Sequence, residues 1–193
     1  MRLRFALPSD AEALLEIYRP YVEETTISFE TETPSLPVFR RRMEEISARF
    51  PYIVLEESGE ILGYAYAHPF HERAAFDWTL ETTVYVRRDA RGRGIGAALY
   101  RSLLALLTAQ GAVTACAVVT VPNDPSVAFH QTMGFTQEGV LPHVGFKLDR
   151  WCGITYLCRR LNDGVPAPGP LRGVWELEKT EIESIFAKAL EKP

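Results

Sequence analysis

A chain of 193 residues, 47% apolar and 24% charged, is long enough for one domain with a buried core and has the balance of an ordinary globular protein. Its net charge of −4 creates no field that would gather nucleic acid, and no apolar run is long enough to cross a bilayer, so neither nucleic acid nor a membrane is expected as a partner. No signal-peptide pattern opens the chain, which points to the cytoplasm, and Cys116, Cys152 and Cys158 form no C-x-x-C pair that would indicate a metal site or a disulfide framework.

In chain order, Leu3 to Ala6 reads as a short strand. Pro8-Ser9-Asp10 is a helix start, and Leu14, Leu15, Ile17, Tyr18, Tyr21 and Val22 then recur at helical spacing. A break over 25–33 precedes a second helix, opened by Pro34 to Pro37, carrying Phe39, Met43 and Ile46 and ended by Pro51. Tyr52 to Glu56 and Ile61 to Ala67 are strands around the Ser58-Gly59 turn, and Trp78 to Val86 is a third, reached through a polar loop. Ala97, Leu99, Leu103, Leu106 and Leu107 make the apolar face of a helix ending at Gly111. The β-branched run from Thr114 to Val121 reads as a strand covered on both faces, and Asp124-Pro125 starts a short helix that ends at Gly134. Phe135 to Val140 and Trp151 to Leu161 complete the sheet.

The order βααβββαβαββ predicts an α/β domain over 1–162, with a mixed sheet between helices on both faces. Residues 163–193 form a tail. Val165 to Gly173 has a Pro/Gly linker composition, and a C-terminal amphipathic helix follows, with Thr180 and Glu183 as its capping box and Ile182, Ile185, Phe186, Ala189 and Leu190 on one face. So short a helix must bury that face against its own domain or against a second subunit, and a homodimer is one expectation.

Between the third strand and the leucine-rich helix lies Arg91-Gly92-Arg93-Gly94-Ile95-Gly96. Glycines and arginines at a helix N-terminus present unpaired N–H groups and positive charge, which suits a phosphate-bearing ligand. The loop does not continue as a Walker sequence, and the chain around Ala112 to Cys116 lacks the acid that a dinucleotide fingerprint places about twenty residues on.

What does fit is R-x-x-G-x-G, here Arg91, Gly94 and Gly96, which resembles the pyrophosphate loop of the GCN5-related N-acetyltransferase (GNAT) superfamily. Asp77 to Val86, Pro122-Asn123-Asp124-Pro125-Ser126-Val127, Gly134-Phe135 and Gly145-Phe146-Lys147 with Trp151 add to the likeness. Together they resemble the phosphinothricin and methionine sulfoximine acetyltransferase group, in order and spacing from about Leu3 to Leu161. The resemblance implies the GNAT fold, a mostly antiparallel sheet splayed at a cofactor groove, and acetyl-CoA as cosubstrate without a metal. It implies that pantetheine lies along Val84, Tyr85 and Val86, that Arg91, Gly92, Arg93, Gly94, Ile95, Gly96 and Ala97 hold the pyrophosphate, and that Asn123 and Ser126 touch the cofactor. Asn123 is equally suited to cap a helix.

The same resemblance makes Glu81 the general base. It lies roughly 17 Å from Val86 along an extended strand, a gap that a pantetheine arm spans in large part. His130 stands where many superfamily members carry a tyrosine that protonates the departing thiolate, and it serves either as that donor or as a bond to the thioester region. Phe29, Glu32 and Lys147 match residues bordering the acceptor pocket, and Arg73 is a partner for an acceptor carboxylate or phosphinate. Two departures stand out: Gly153 replaces a common aspartate, and His68-Pro69-Phe70-His71 has no close counterpart. The expected reaction is direct acetyl transfer to the primary amine of a small amino-acid-like acceptor. The alternatives are a protein N-terminal or lysine acetyltransferase and a noncatalytic acyl-CoA-binding module. A route through an acetyl-cysteine is disfavoured, because Cys116 falls in a predicted buried strand and no cysteine has an evident activating base.

Overall fold

A computed structural model describes residues 1–164 and 167–191. Val165 and Pro166, which belong to the predicted linker, and the terminal Lys192 and Pro193 lie outside the described residues. Seven strands, β1 (Arg2–Phe5), β2 (Tyr52–Glu57), β3 (Glu60–Pro69), β4 (Thr79–Val86), β5 (Thr114–Val121), β6 (Thr136–Lys147) and β7 (Arg150–Arg160), form one sheet in the order β1-β2-β3-β4-β5-β7-β6. Every neighbouring pair is antiparallel except β4 and β5, which run parallel. That pair needs a crossover, and the glycine loop and the helix after it provide one.

Helices α1 (Ala11–Glu23) and α2 (Leu36–Ser47) cover one face, where Leu14, Tyr18, Tyr21, Phe39 and Met43 pack on Tyr52, Val54 and Tyr64. Helices α3 (Ile95–Gln110) and α5 (Lys179–Leu190) belong to the core of the opposite face. There Leu99, Leu103, Leu106 and Leu107 are fully buried against Ile53, Leu55, Ala65 and Leu80. Alternation along β4 sorts its side chains: Leu80, Val84 and Val86 join the α3 core, and Tyr85 joins the α1/α2 core. Helix α4 (Asp124–Thr132) packs on β5 and β6.

The predicted element order holds throughout, and the differences are local. Strand β6 runs to Lys147 instead of stopping at Val140, with register shifts between Gln137 and Gly139 and between Leu141 and Gly145. It is an edge strand, where Pro142 can interrupt the ladder without orphaning a neighbour. The expected capping box is absent: the residue preceding α5 is Glu178, no side chain caps it, and Thr180 lies inside the first turn. The Pro/Gly segment is strapped down where it is described, because it carries apolar anchors. Leu171, Val174 and Leu177 are buried, Trp78 Nε1 donates to Gly169 O at 2.6 Å, Gln110 Nε2 donates to Arg172 O at 2.7 Å, and Trp175 Nε1 donates to Ser47 O at 2.8 Å. Helix α5 thus buries its apolar face on its own domain, against α3 and β1, with Arg101 donating to Ala189 O at 2.6 Å.

Ala187 is exposed and Ala189 is buried on this helix, two residues apart. Ala189→Asp is expected to lower unfolding free energy by about 2 kcal/mol or more through burial of an unpaired carboxylate, and Ala187→Asp to change it by less than about 0.5 kcal/mol. Denaturant melts of the two variants check this, and equal effects would mean that α5 is not docked.

Candidate active site

The ladder between β4 and β5 is short. Thr79 pairs with Thr114, Leu80 with Ala115 and Glu81 with Cys116, and there it ends, although β4 continues to Val86 and β5 to Val121. On its other side β4 stays paired with β3 as far as Val86, and β5 stays paired with β7 as far as Val121. The two strands therefore diverge like a V, leaving the β5-facing backbone edge of residues 82–86 without a strand partner. At the crotch, Thr82 Oγ1 donates to Cys116 O at 2.9 Å and bonds Tyr100 Oη of α3 at 2.6 Å. A side chain thus takes the acceptor that another rung of the ladder would have used.

The V opens a cavity of about 850 Å³. At its wide end, Gly94 holds φ +80° as the residue preceding α3, a left-handed conformation that favours glycine, and the first N–H groups of the helix have no intrahelical acceptor. The arginines of this stretch differ in availability. Arg87 pairs with Glu60 at 2.9 Å, Arg88 with Glu24 at 2.5 Å and Arg93 with Glu57 at 2.5 Å. Arg91 has no carboxylate partner among the described residues and lies over the Tyr21 ring, 5.3 Å from its centroid. The site thus offers one unneutralised guanidinium beside a helix N-terminus, as an anion requires. Arg91, Gly92 and Gly96 line the cavity, while Ile95 is buried in the core and contributes backbone alone.

Along the walls run Val84, Tyr85 and Val86 on one side and Asn123, Ser126 and Phe129 on the other. Val86 O already accepts from Tyr21 Oη at 2.6 Å, so one of its lone pairs is committed. Asn123 caps α4, with Oδ1 accepting from Ser126 N at 3.4 Å. His130 is buried, ringed by Tyr100, Phe129 and Phe135, and its Nδ1 lies 2.7 Å from Ser126 O. A carbonyl only accepts, so Nδ1 carries the proton and Nε2 keeps a lone pair. Burial holds the imidazole below its ordinary pKa, opposed by the bond to Ser126.

Glu81 lines the narrow end with its side chain 26% exposed. Burial raises its pKa, with His68 and His71 pulling the other way. Tyr66, Thr83, Val118, Thr120 and Ile154 line the same cavity, and burial takes the Tyr66 phenol up to about 12. Ile27, Ser28 and Phe29 form a strap across it. Tyr18 Oη bonds Ser28 Oγ at 2.5 Å, Lys147 Nζ donates to Ser28 O at 2.7 Å, and the Phe29 ring occupies the space that a side chain at position 145 would need. Gly145 is glycine for that reason.

The other residues expected at the acceptor end are placed differently. Lys147 is buried and bonds the strap, and it does not line the cavity. Glu32 is exposed on the loop beyond Phe29, and Arg73 is exposed in the turn before β4, neither of them lining the cavity. Among residues that the motifs did not select, His68 lines the cavity directly opposite Glu81 in the β3/β4 register. Its place could not be read from spacing, because the loop between the strands is too long to set their register.

His130 generates a prediction. Its folded pKa lies below the ordinary value of 6.5, so the neutral form is favoured by folding; that contribution is complete above about pH 6.5 and is lost as pH falls through the lower folded value. In an NMR titration the His130 ring should change protonation below pH 6.5, and a midpoint above it would contradict the buried, carbonyl-bonded ring.

With this geometry in place, comparison with known proteins is direct. Residues 3–155 match the model of the acetyltransferase (GNAT) domain. The phosphinothricin N-acetyltransferase of Streptomyces viridochromogenes is 36% identical over 177 residues, 92% of this chain and 96% of the relative. The L-methionine sulfoximine/L-methionine sulfone acetyltransferase of Pseudomonas aeruginosa is 34% identical over 86% of this chain and 98% of its own. A phosphinothricin acetyltransferase from Sinorhizobium meliloti, solved in complex with acetyl-CoA, superposes with a TM-score of 0.83 at 35% identity, covering 90% of this chain and 95% of that one. A splayed β4/β5 pair, a glycine loop opening α3 and matches over nearly the whole length lead to one conclusion: the chain belongs to the GNAT acetyltransferase family.

Proposed function

We propose that this protein is an acetyl-CoA-dependent N-acetyltransferase that moves acetyl directly to the primary amine of a small amino-acid-like acceptor of the phosphinothricin or methionine sulfone type. The observation that carries the reading is Glu81 at the point where β4 and β5 part, one end of a groove whose other end is the free Arg91 and the N-terminus of α3. An extended pantetheine arm adds to the open edge at Val84 to Val86 as a strand would, its pyrophosphate on the N–H groups of residues 94–97 and on Arg91. Its thioester then reaches the narrow end beneath the Phe29 strap.

Glu81 takes one proton from the acceptor ammonium, directly or through one water. The freed amine attacks the thioester carbonyl, the C–S bond breaks, and the proton left on the attacking nitrogen goes to the departing sulfur. His130 accepts a hydrogen bond in this region; with Nδ1–H committed to Ser126, its Nε2 has no proton to give. Chemistry of this kind rests on proximity and one proton path. No cysteine intermediate enters it. Cys116 stands opposite Cys158, and that contact, with burial second, pushes its thiol far up, away from the thiolate a nucleophile needs.

Glu81→Gln is expected to lower kcat by about 10²- to 10⁴-fold with the Kd for acetyl-CoA within about twofold of wild type. Because burial raises the Glu81 pKa from its ordinary value, the acid limb of kcat/KM should lie above the ordinary glutamate pKa. Thiol release from acetyl-CoA with phosphinothricin or methionine sulfone is the assay. Equal loss of binding and turnover, or transfer to peptides but to no free amino acid, would overturn the assignment.

The outer hairpin supports a homodimer. Val140, Leu141, Val144, Phe146 and Trp151 are all exposed on β6 and β7, with the Phe146 and Trp151 rings 5.5 Å apart, and one surface carrying so many large apolar groups calls for a partner. Sedimentation should give the mass of two chains, and Phe146→Asp the mass of one; a wild-type monomer would contradict this reading.

A further inference from the structure

We propose that His68 is a positioning residue for the proton path, receiving from Glu81 the proton removed from the acceptor and passing it to solvent. The inference rests on the reading of Glu81 as base and goes beyond it. Proton balance supplies the motive: an ammonium and a thioester become an amide, a thiol and one free proton. The ammonium brings three protons, the amide keeps one, the thiol takes one, and the third leaves the site in every turnover. Glu81 must shed it before it can act again.

Among the described side chains beside Glu81, one offers a route to solvent. Strand register sets His68 of β3 directly beside Glu81 of β4, and the ring nitrogen Nε2 lies 3.9 Å from Oε1. That separation is longer than a hydrogen bond and is closed by a small carboxyl rotation or a single bridging water. His68 Nδ1 lies 3.0 Å from Pro69 O, which accepts only, so Nδ1 is protonated and Nε2 turns its lone pair toward the carboxyl. Proton transfer breaks the Glu81 O–H bond and forms the Nε2–H bond. The imidazolium, 33% exposed, then gives a proton to water and the carboxylate is restored. Imidazole is the side chain that exchanges protons with water near neutral pH.

The other groups facing Glu81 serve this step poorly. Tyr66 of β3 is a partly buried phenol and Tyr100 of α3 a buried one, both held above their ordinary range, and Cys116 of β5 is a thiol pushed far up beside Cys158. His71, in the loop after β3, acts on Glu81 through charge and packs its ring on Phe70 and Phe76. Among the described histidines, His68 alone places a ring nitrogen within 4 Å of the Glu81 carboxylate. This also accounts for the segment His68-Pro69-Phe70-His71, which the family pattern did not absorb.

The test compares His68→Ala, His68→Gln and Glu81→Gln in weakly buffered solution, with and without added imidazole. His68→Ala should lower kcat roughly tenfold with the KM for acetyl-CoA unchanged, and imidazole should restore most of the loss by entering the space vacated. His68→Gln keeps the volume of the side chain, so it should retain the wild-type Tm and acetyl-CoA affinity while turning over as slowly. In both His68 variants the acid limb of kcat/KM should move to higher pH, because the imidazolium that favours ionised Glu81 is gone. Glu81→Gln should gain nothing from imidazole. Wild-type turnover of His68→Ala without added buffer, or a loss that imidazole does not relieve, overturns the relay. Full activity of Glu81→Gln would instead overturn the base.

Discussion

The parting of β4 from β5 after the Glu81–Cys116 rung is the constraint on which the site depends. A parallel pair inside a sheet ordinarily satisfies its backbone groups rung by rung, and an open edge there must be met by water or by a ligand. Here the crotch is closed by Thr82, which spends its hydroxyl on Cys116 O and on Tyr100, and beyond that point the open edge of β4 faces a cavity instead of a neighbour. Because β3 and β7 still hold the outer sides of the two strands, the opening costs the sheet little of its rigidity. A ligand that is extended and rich in amide groups matches such an edge better than a compact one.

Charge is distributed unevenly along this groove. At the glycine-loop end Arg87, Arg88 and Arg93 are neutralised by carboxylates, and Arg91 beside the helix N-terminus has no carboxylate partner among the described residues. At the other end two groups are kept in their uncharged or proton-accepting states by burial: His130 is held neutral, and Glu81 has its pKa raised so that it takes up protons more readily. In the proposed relay the proton that Glu81 takes up leaves through His68 of β3.

Positioning of the Phe29 strap is a tertiary affair. The strap at Ile27 to Phe29 comes from the segment after α1, is bonded by Tyr18 of that helix, and is held from the far side of the sheet by Lys147 and by the clearance at Gly145. A buried ammonium whose bond goes to a backbone carbonyl fixes a loop more firmly than an exposed one, because leaving it unpaired would be costly. Lys147 acts on the pocket through Ser28, which lines it, and not directly.

Much of this protein was legible in the residues alone. Period-2 and period-3.6 patterns set the order of elements, and Gly111 marked the end of α3, where it takes φ +94°. The glycine loop could be read as a helix N-terminus because that is a local object, made by consecutive residues. What tertiary structure alone decided were the relations between distant segments: which arginine stays unpaired, the docking of α5 and the Pro/Gly segment on α3, the inward turn of Lys147 to Ser28, and the seat of His68 beside Glu81. The physical reason is the same in each case. Local pattern says which face of an element is apolar, but register across a long loop and the pairing of charges are settled by packing between elements that the sequence keeps far apart.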